Sequence, residues 1–284
     1  MRFSADNLAQ HVFRAIAFSA IASLLLIAVF IFKEGFPFLL RYGPWNFLSS
    51  TDWHPETGSY GVGAMIVASL WITAGAMLIG APLGVAGAIF LSEFVPRPVM
   101  RIIKPTIELL AGIPSVVYGF IGMMVLAPLV RNNLGGPGLC VLNAAVILGI
   151  MVLPTIISIS VDAISAVPNS FREGALALGA TRWQAVRMVV LKAARSGIIA
   201  SIILGMGRAV GETMAVIMVA GNTIRMPHNV MEPVRSLTAN IAIEMSAATG
   251  MHRQALFATG VVLFVVIMLL NSLAMAVMHR RASR

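Results

Sequence analysis

Six stretches of this chain are long and apolar enough to cross a lipid bilayer, and they leave little room for any other kind of fold. Ala15–Phe32, Val62–Leu91, Leu109–Val130, Leu139–Val161 and Leu256–Met278 contain no Asp, Glu, Lys or Arg, and Ser196–Asn222 contains only Arg208 and Glu212. At 1.5 Å per residue each covers most or all of a hydrocarbon core about 30 Å thick. Inside lipid every backbone N–H and C=O must find its partner within the protein, so such runs are expected to be helices. The fold class expected is therefore an all-α integral membrane protein, a polytopic bundle of six transmembrane helices. A hydrophobic fraction of 58%, a charged fraction of 11% and a mean hydropathy of +0.90 exclude an ordinary soluble domain.

The net charge of +9 does not indicate a nucleic-acid partner, because the basic residues lie between apolar runs and form no patch interleaved with aromatics. Their distribution instead predicts orientation. Thirteen Lys and Arg fall on one side of the six spans: Arg2, Arg14, Arg97, Arg101, Lys104, Arg172, Arg182, Arg187, Lys192, Arg195, Arg280, Arg281 and Arg284. Six fall on the other: Lys33, Arg41, Arg131, Arg225, Arg235 and Arg253. Both termini are thus expected in the cytoplasm. Arg2 and Arg14 precede the first span as in a signal sequence. Lys33-Glu34-Gly35-Phe36-Pro37 follows without a small-residue cleavage site, which predicts a retained anchor. Cys140 is the only cysteine, so no intrachain disulfide exists.

The longest polar interruption on the cytoplasmic side is Ser170–Lys192. Ser170 with Glu173 has the spacing of a capping box, and Phe171, Ala175 and Leu178 give the helix that follows one apolar face. Gly179 is a natural stop, since glycine accepts the left-handed conformation that ends a helix. Thr181 with Gln184 predicts a second capping box and a helix running on through Leu191. A helix–glycine–helix loop carrying Arg172, Arg182 and Arg187 is suited to press against another protein.

Arg208 and Glu212 are four residues apart, so on a continuous helix they would share a face and pair. A charge near mid-bilayer costs about 2.5–3.5 kcal/mol even on the lenient insertion scale, so both should face a partner or a wet cavity. Arginine's planar fork suits an oxyanion, and Gly205, Gly207 and Gly211 keep the nearby surface small. The expectation is that Arg208 meets an anion when the path opens and Glu212 occupies it otherwise; the alternative is an ion pair that only fixes helix register.

Val62–Leu91 and Leu109–Val130 are rich in Gly and Pro, and broken helices are tolerated in lipid only where protein or water re-satisfies the backbone. Both should face the bundle interior. Lys33–Gly61, with Trp45 and Trp53, reads as an irregular outer segment at the interface. Val234, Leu237, Ile241 and Met245 predict a short helix along the outer face within Ile224–Gln254. Either loop could serve a partner or simple packing.

Ser170–Lys192 resembles the EAA loop of ABC-importer permeases, which docks in a groove of the ATPase subunit. Glu173, Ala175, Gly179 and Leu191 match its spacing, Val189 stands for an isoleucine, Gly174 replaces the first alanine and Lys192 the closing proline. Losing that proline lets the second helix continue unbroken. Gly207–Val216 with Gly221-Asn222, Glu108–Gly119 and Leu237–Met245 are similar to the permeases of phosphate-specific ABC importers, to the PstC type rather than its PstA-type sister. This resemblance implies a type I ABC-importer permease fold, with residues 1–60 as an N-terminal helix and external loop and 61–284 as the permease core holding the coupling loop 168–192. It implies ATPase coupling through Phe171, Glu173, Gly174, Ala175, Leu178, Gly179 and Arg182, and a substrate path at Arg208 and Glu212. Its implied partners are an ATPase dimer, a second homologous permease, an external phosphate-binding protein and inorganic phosphate, with no nucleic acid. The chain has no G-x-x-x-x-G-K-[ST] motif, no zinc-like spacing and no G-x-S-x-G. It is therefore expected not to be an enzyme and to bind no cofactor, ATP and Mg being held by the partner. Another oxyanion (sulfate, molybdate or a phosphonate) and an ATPase-independent secondary transporter are the alternatives.

Overall fold

The computed structural model describes residues 5–282, and Arg2 and Arg284 of the charge count lie outside them. The chain begins with α1 (Ala5–Tyr42), α2 (Pro44–Ser49) and a small hairpin, β1 (Trp53–His54) and β2 (Ser59–Tyr60). There follow α3 (Gly63–Glu93), α4 (Arg97–Ala111) and α5 (Ser115–Ile121), which continues through a π-helical turn, Gly122–Leu126, into α6 (Ala127–Leu134). Next come α7 (Val141–Ser165), α8 (Asn169–Ala177), α9 (Arg182–Ala185), a second π-helical turn, Val186–Val190, and α10 (Leu191–Ala193). The chain ends with α11 (Arg195–Gly211), α12 (Met214–Val219), α13 (Leu237–Glu244) and α14 (Gly250–Ala282).

Among the described residues five helical segments have the length and hydropathy of membrane spans, and the bent unit Arg182–Ala193 plus Arg195–Gly211, taken as one span, makes a sixth. In the middle of α1 the apolar side chains face outward, Leu24 and Leu26 being 69% and 70% exposed, as expected where lipid is the solvent, whereas Phe38 and Leu39 near its end are buried. The centre of the bundle is the α3–α7 pair. A Cβ at Gly80 would come within 2.6 Å of Val152 Cγ2, and one at Gly84 within 2.7 Å of Ile156 Cγ2, so these glycines let the two helices close on each other. Ile72, Ala76, Leu148, Met151, Val152 and Ile156 form the middle of the core together with Val216 and Val219 of α12. At one end of α3, Phe38, Phe47, Trp53 and Tyr60 pack with Leu237 and Leu256; at its other end Leu91, Val161 and Ile164 pack with Val190 and Ile198.

Several sequence-based boundaries are corrected. The run Leu109–Val130 is not one helix: α4 is a separate amphipathic helix ending at Ala111, and the span starts only at Ser115, because Gly112-Ile113-Pro114 breaks the backbone between them. Pro82, by contrast, leaves α3 continuous. The run Ser196–Asn222 divides into α11 and α12, with Glu212 in extended conformation between them. Lys33–Gly61 is largely regular, since α1 continues to Tyr42 and the hairpin follows. Trp53 is buried there, with its indole N–H donating to Glu244 at 2.7 Å, whereas Trp45 is 78% exposed. The helix expected near Leu237 is present and capped by Ser236, whose Oγ accepts from Ala239 N–H at 3.1 Å.

Candidate functional site

Two backbone breaks, Gly112–Pro114 and Glu212–Thr213, interrupt the helices, and Arg208 serves the first of them. Its Nη2 donates to the Ala111 carbonyl at 3.1 Å, and Nη1 donates to Thr155 Oγ1 of α7 at 3.2 Å. Tyr118 donates its hydroxyl to Leu110 O at 3.1 Å, so a guanidinium and a phenol share the terminal carbonyls of α4. Both partners of Arg208 are neutral, and most of its N–H donors remain for another acceptor.

Glu212 has other partners. Because α11 stops at Gly211, the two side chains do not share a helical face, and among the described residues no ion pair joins them. Glu212 Oε1 instead accepts from Ala215 N–H at 3.1 Å, placing a carboxylate at the start of α12, where the helix dipole favours it. Its backbone carbonyl accepts from Thr238 Oγ1 at 2.9 Å. Ser69, Thr73, Ser236 and Thr238 line a small polar cavity beside it. Gly205 is packed, since a Cβ there would lie 2.8 Å from Ile156 Cγ1, but Gly207 and Gly211 have open space where a Cβ would sit.

The loop 168–192 is a helical hairpin. Its Ser170–Glu173 capping box does not form: Pro168, at φ −56° and ψ 143°, already sets the extended N-cap geometry, so α8 starts at Asn169 and Ser170 lies within the first turn. Gly179 takes φ +84°, with Gly179 N–H on Leu176 O at 2.9 Å and Ala180 N–H on Ala175 O at 3.1 Å, a Schellman motif. The Thr181–Gln184 box does form, at 3.3 and 2.8 Å. The second helix does not run on unbroken. It passes through a π-helical turn to Ala193 and bends 70° into α11.

On this hairpin α8 buries none of its residues; Phe171 is half exposed and Leu178 is 91% exposed, while Glu173 and Gly174 also face outward and Ala175 is half-buried. Two of its arginines point inward rather than toward a partner. Arg172 Nε and Nη2 grip the carboxylate of Glu93, at 3.1 and 2.6 Å to Oε1, while Nη1 donates to Val167 O at 2.7 Å and Nη2 to Ile164 O at 3.1 Å. Arg182 donates to the Glu93 carbonyl and lies over the Phe94 ring at 5.2 Å.

Thr155, Tyr118 and Glu93 were not identified from the sequence. Thr155 and Tyr118 lie in apolar runs where a hydroxyl is unremarkable. Glu93 carried a signal, an acid just beyond a long charge-free run, but nothing in the sequence tied it to Arg172. At the far end Glu244 joins Trp53, Arg235 (2.7 Å to Oε1) and His252 (2.8 Å to Oε2).

A family model described as binding-protein-dependent transport system inner membrane component matches residues 80–284. The chain is 42% identical to the probable ABC transporter permease protein YqgH of Bacillus subtilis over 258 residues, 88% of this chain and 84% of that one. It is 37% identical to the phosphate transport system permease protein PstC of Mesorhizobium japonicum over 292 residues, covering 95% and 89%. Among solved structures, a bacterial alginate ABC transporter in complex with its pentasaccharide-bound periplasmic protein matches with TM-score 0.65 at 16% identity, covering 99% of each chain. The MetNI methionine ABC transporter in an inward-facing form matches with TM-score 0.56 at 19% identity, covering 79% and 95%. These likenesses confirm the expected type I ABC-importer permease fold.

Proposed function

This chain belongs to the family of binding-protein-dependent transport system inner membrane components, and we propose that it is the permease subunit of an ATP-driven inorganic phosphate importer. The observation that carries the substrate is the 37% identity over 95% of the chain to a permease named for phosphate transport. The chain sits as a multi-pass protein in the prokaryotic inner membrane, with residues 61–284 as the permease core, residues 1–60 as an added helix and outer segment, and both termini in the cytoplasm. It pairs with a second, similar permease and takes phosphate from an external binding protein. An ATPase dimer, holding ATP and Mg, docks on the hairpin through Phe171, Glu173, Gly174, Ala175 and Leu178, with Gly179 and Arg182 setting its shape.

Arg208 lies on the substrate path. The guanidinium is held by one carbonyl and one hydroxyl, so an oxyanion arriving beside Gly207 and Gly211 can replace those neutral acceptors with charge-assisted bonds. Glu212 guards the other break of the path from the start of α12 and is not the resting partner of Arg208. Phosphate uptake by the purified assembly in proteoliposomes tests this reading. Uptake that requires ATP inside, the external binding protein and an intact 168–192 hairpin supports it. Uptake without the ATPase would make the chain a secondary transporter, and uptake of sulfate, molybdate or a phosphonate in place of phosphate would correct the cargo.

A further inference from the structure

Glu93 is an acid with only 7% of its surface exposed, at the last residue of a helix that otherwise carries no charge. The C-terminal end of α3 is already the negative end of its dipole, so a carboxylate there is unfavourable unless a cation answers it. Arg172 does so, and one guanidinium also takes the carbonyls of Ile164 and Val167 at the end of α7. The carboxylate at the end of α3 and two carbonyls, one in the last turn of α7 and one just past it, thus converge on a side chain of α8.

That contact is the principal tie between α8 and the core. Helix α8 buries no residue of its own and packs chiefly on the second half of its hairpin. The second half is anchored chiefly by apolar contact, with Val190 and Ala194 buried against Ala88, Leu91, Val161 and Ile164, and by Arg182 on the backbone carbonyl of Glu93 rather than on its carboxylate. Apolar packing tolerates sliding, whereas a forked ion pair does not: a displacement of about 1 Å takes its hydrogen bonds out of range unless α3 and α7 follow. From there the load passes into the close-packed α3–α7 pair, whose Thr155 holds Arg208.

We propose that Glu93 is a positioning residue for transport, the point at which motion of α8 is imposed on α3 and α7 through Arg172. This rests on the reading of the hairpin as the ATPase-docking element. Glu93→Gln removes the charge but leaves Arg172 on the Ile164 and Val167 carbonyls and Arg182 on the backbone carbonyl of residue 93, so the hairpin stays folded while the ion pair joining α8 to α3 is reduced to a neutral hydrogen bond. Arg172→Lys keeps the charge and loses the fork.

The test uses the complete complex in proteoliposomes, measuring ATP hydrolysis with and without phosphate-loaded binding protein on the far side, together with phosphate uptake. Both variants should assemble with the ATPase and keep their unstimulated hydrolysis, while stimulation by the binding protein and uptake fall at least roughly fivefold, the lower range for coupling between two sites. If Glu93→Gln does not assemble, Arg172→Lys decides on the same two readings. Stimulation unchanged in the assembled variants overturns the inference, and loss of assembly in both makes the pair merely structural and also overturns it. A native complex without stimulation contradicts the proposed function itself, and the inference with it.

Discussion

Arg208 Nη2 donates to the carbonyl oxygen of Ala111 at 3.1 Å, across 97 positions of sequence. The arginine within a span therefore closes the end of α4, at the break that separates this helix from the span beginning at Ser115. Its second partner, Thr155 Oγ1, belongs to the central helix α7. A cation held only by neutral oxygens at a backbone break is poised to exchange them for an anion.

Thr155→Val is expected to leave assembly intact and to weaken the placement of Arg208 by about 1 kcal/mol, the net worth of one hydrogen bond. Phosphate uptake should fall several-fold in maximal rate while co-purification of partner subunits stays normal. Unchanged uptake would show that the Thr155 contact is incidental.

Two glycines of the hairpin should respond oppositely to alanine. Gly174 lies within α8 with nothing within 4 Å of an added Cβ, so Gly174→Ala should stabilise that helix by about 1 kcal/mol and leave docking intact. Gly179 holds φ +84°, so Gly179→Ala should cost about 1 kcal/mol and loosen the angle between the two halves. Amide exchange of residues 169–193 in the complex reads both: slower for the first, faster for the second.

Glu244→Gln should destabilise the end of the bundle bearing the hairpin β1–β2. It removes the carboxylate shared by Arg235, His252 and the Trp53 indole, in surroundings where these groups are mostly buried. A loss of about 2 kcal/mol is expected, typical of hydrogen bonds to charged groups. Trp53 fluorescence reports it directly, and a native-like thermal transition with unshifted emission would contradict the shared role of Glu244.

The same end should lose stability in alkali. Burial, then the neighbouring Tyr42, Glu244 and Glu56, push the Tyr60 hydroxyl above its ordinary value of 10.0. The folded state therefore keeps this proton where the unfolded chain releases it. Its contribution to stability is fully present below pH 10 and is lost as pH rises through the folded value. A Tyr60→Phe complex, compared across that range by thermal unfolding, should lack this component of the decline.

Most of the bundle was legible because charge-free length is a strong signal: α3, α7 and α14 fall where their runs do. The breaks were less so. Glu212 and Thr213 have no strong aversion to helix; the stop after Gly211 is held by one local bond, Ala215 N–H on the Glu212 carboxylate, and one tertiary bond, Thr238 on Glu212 O. The i,i+4 pairing of Arg208 and Glu212 failed for that reason. In the hairpin, Gly179 and Thr181 are legible because their turn chemistry is local. Ser170 and Arg172 are not, because Pro168 sets the cap and the partner of Arg172, Glu93, lies 79 positions away.

The most direct measurement is radiolabelled phosphate uptake in cells whose only importer contains this subunit, native or Arg208→Gln, with excess unlabelled sulfate or molybdate as competitor. We predict that native uptake withstands both competitors and that the variant, assembled at native levels, loses at least about tenfold, as expected when a charge-assisted site loses its cation. Uptake that survives the substitution would contradict the placement of Arg208 on the path. An assembled native complex that moves no phosphate would contradict the assigned cargo.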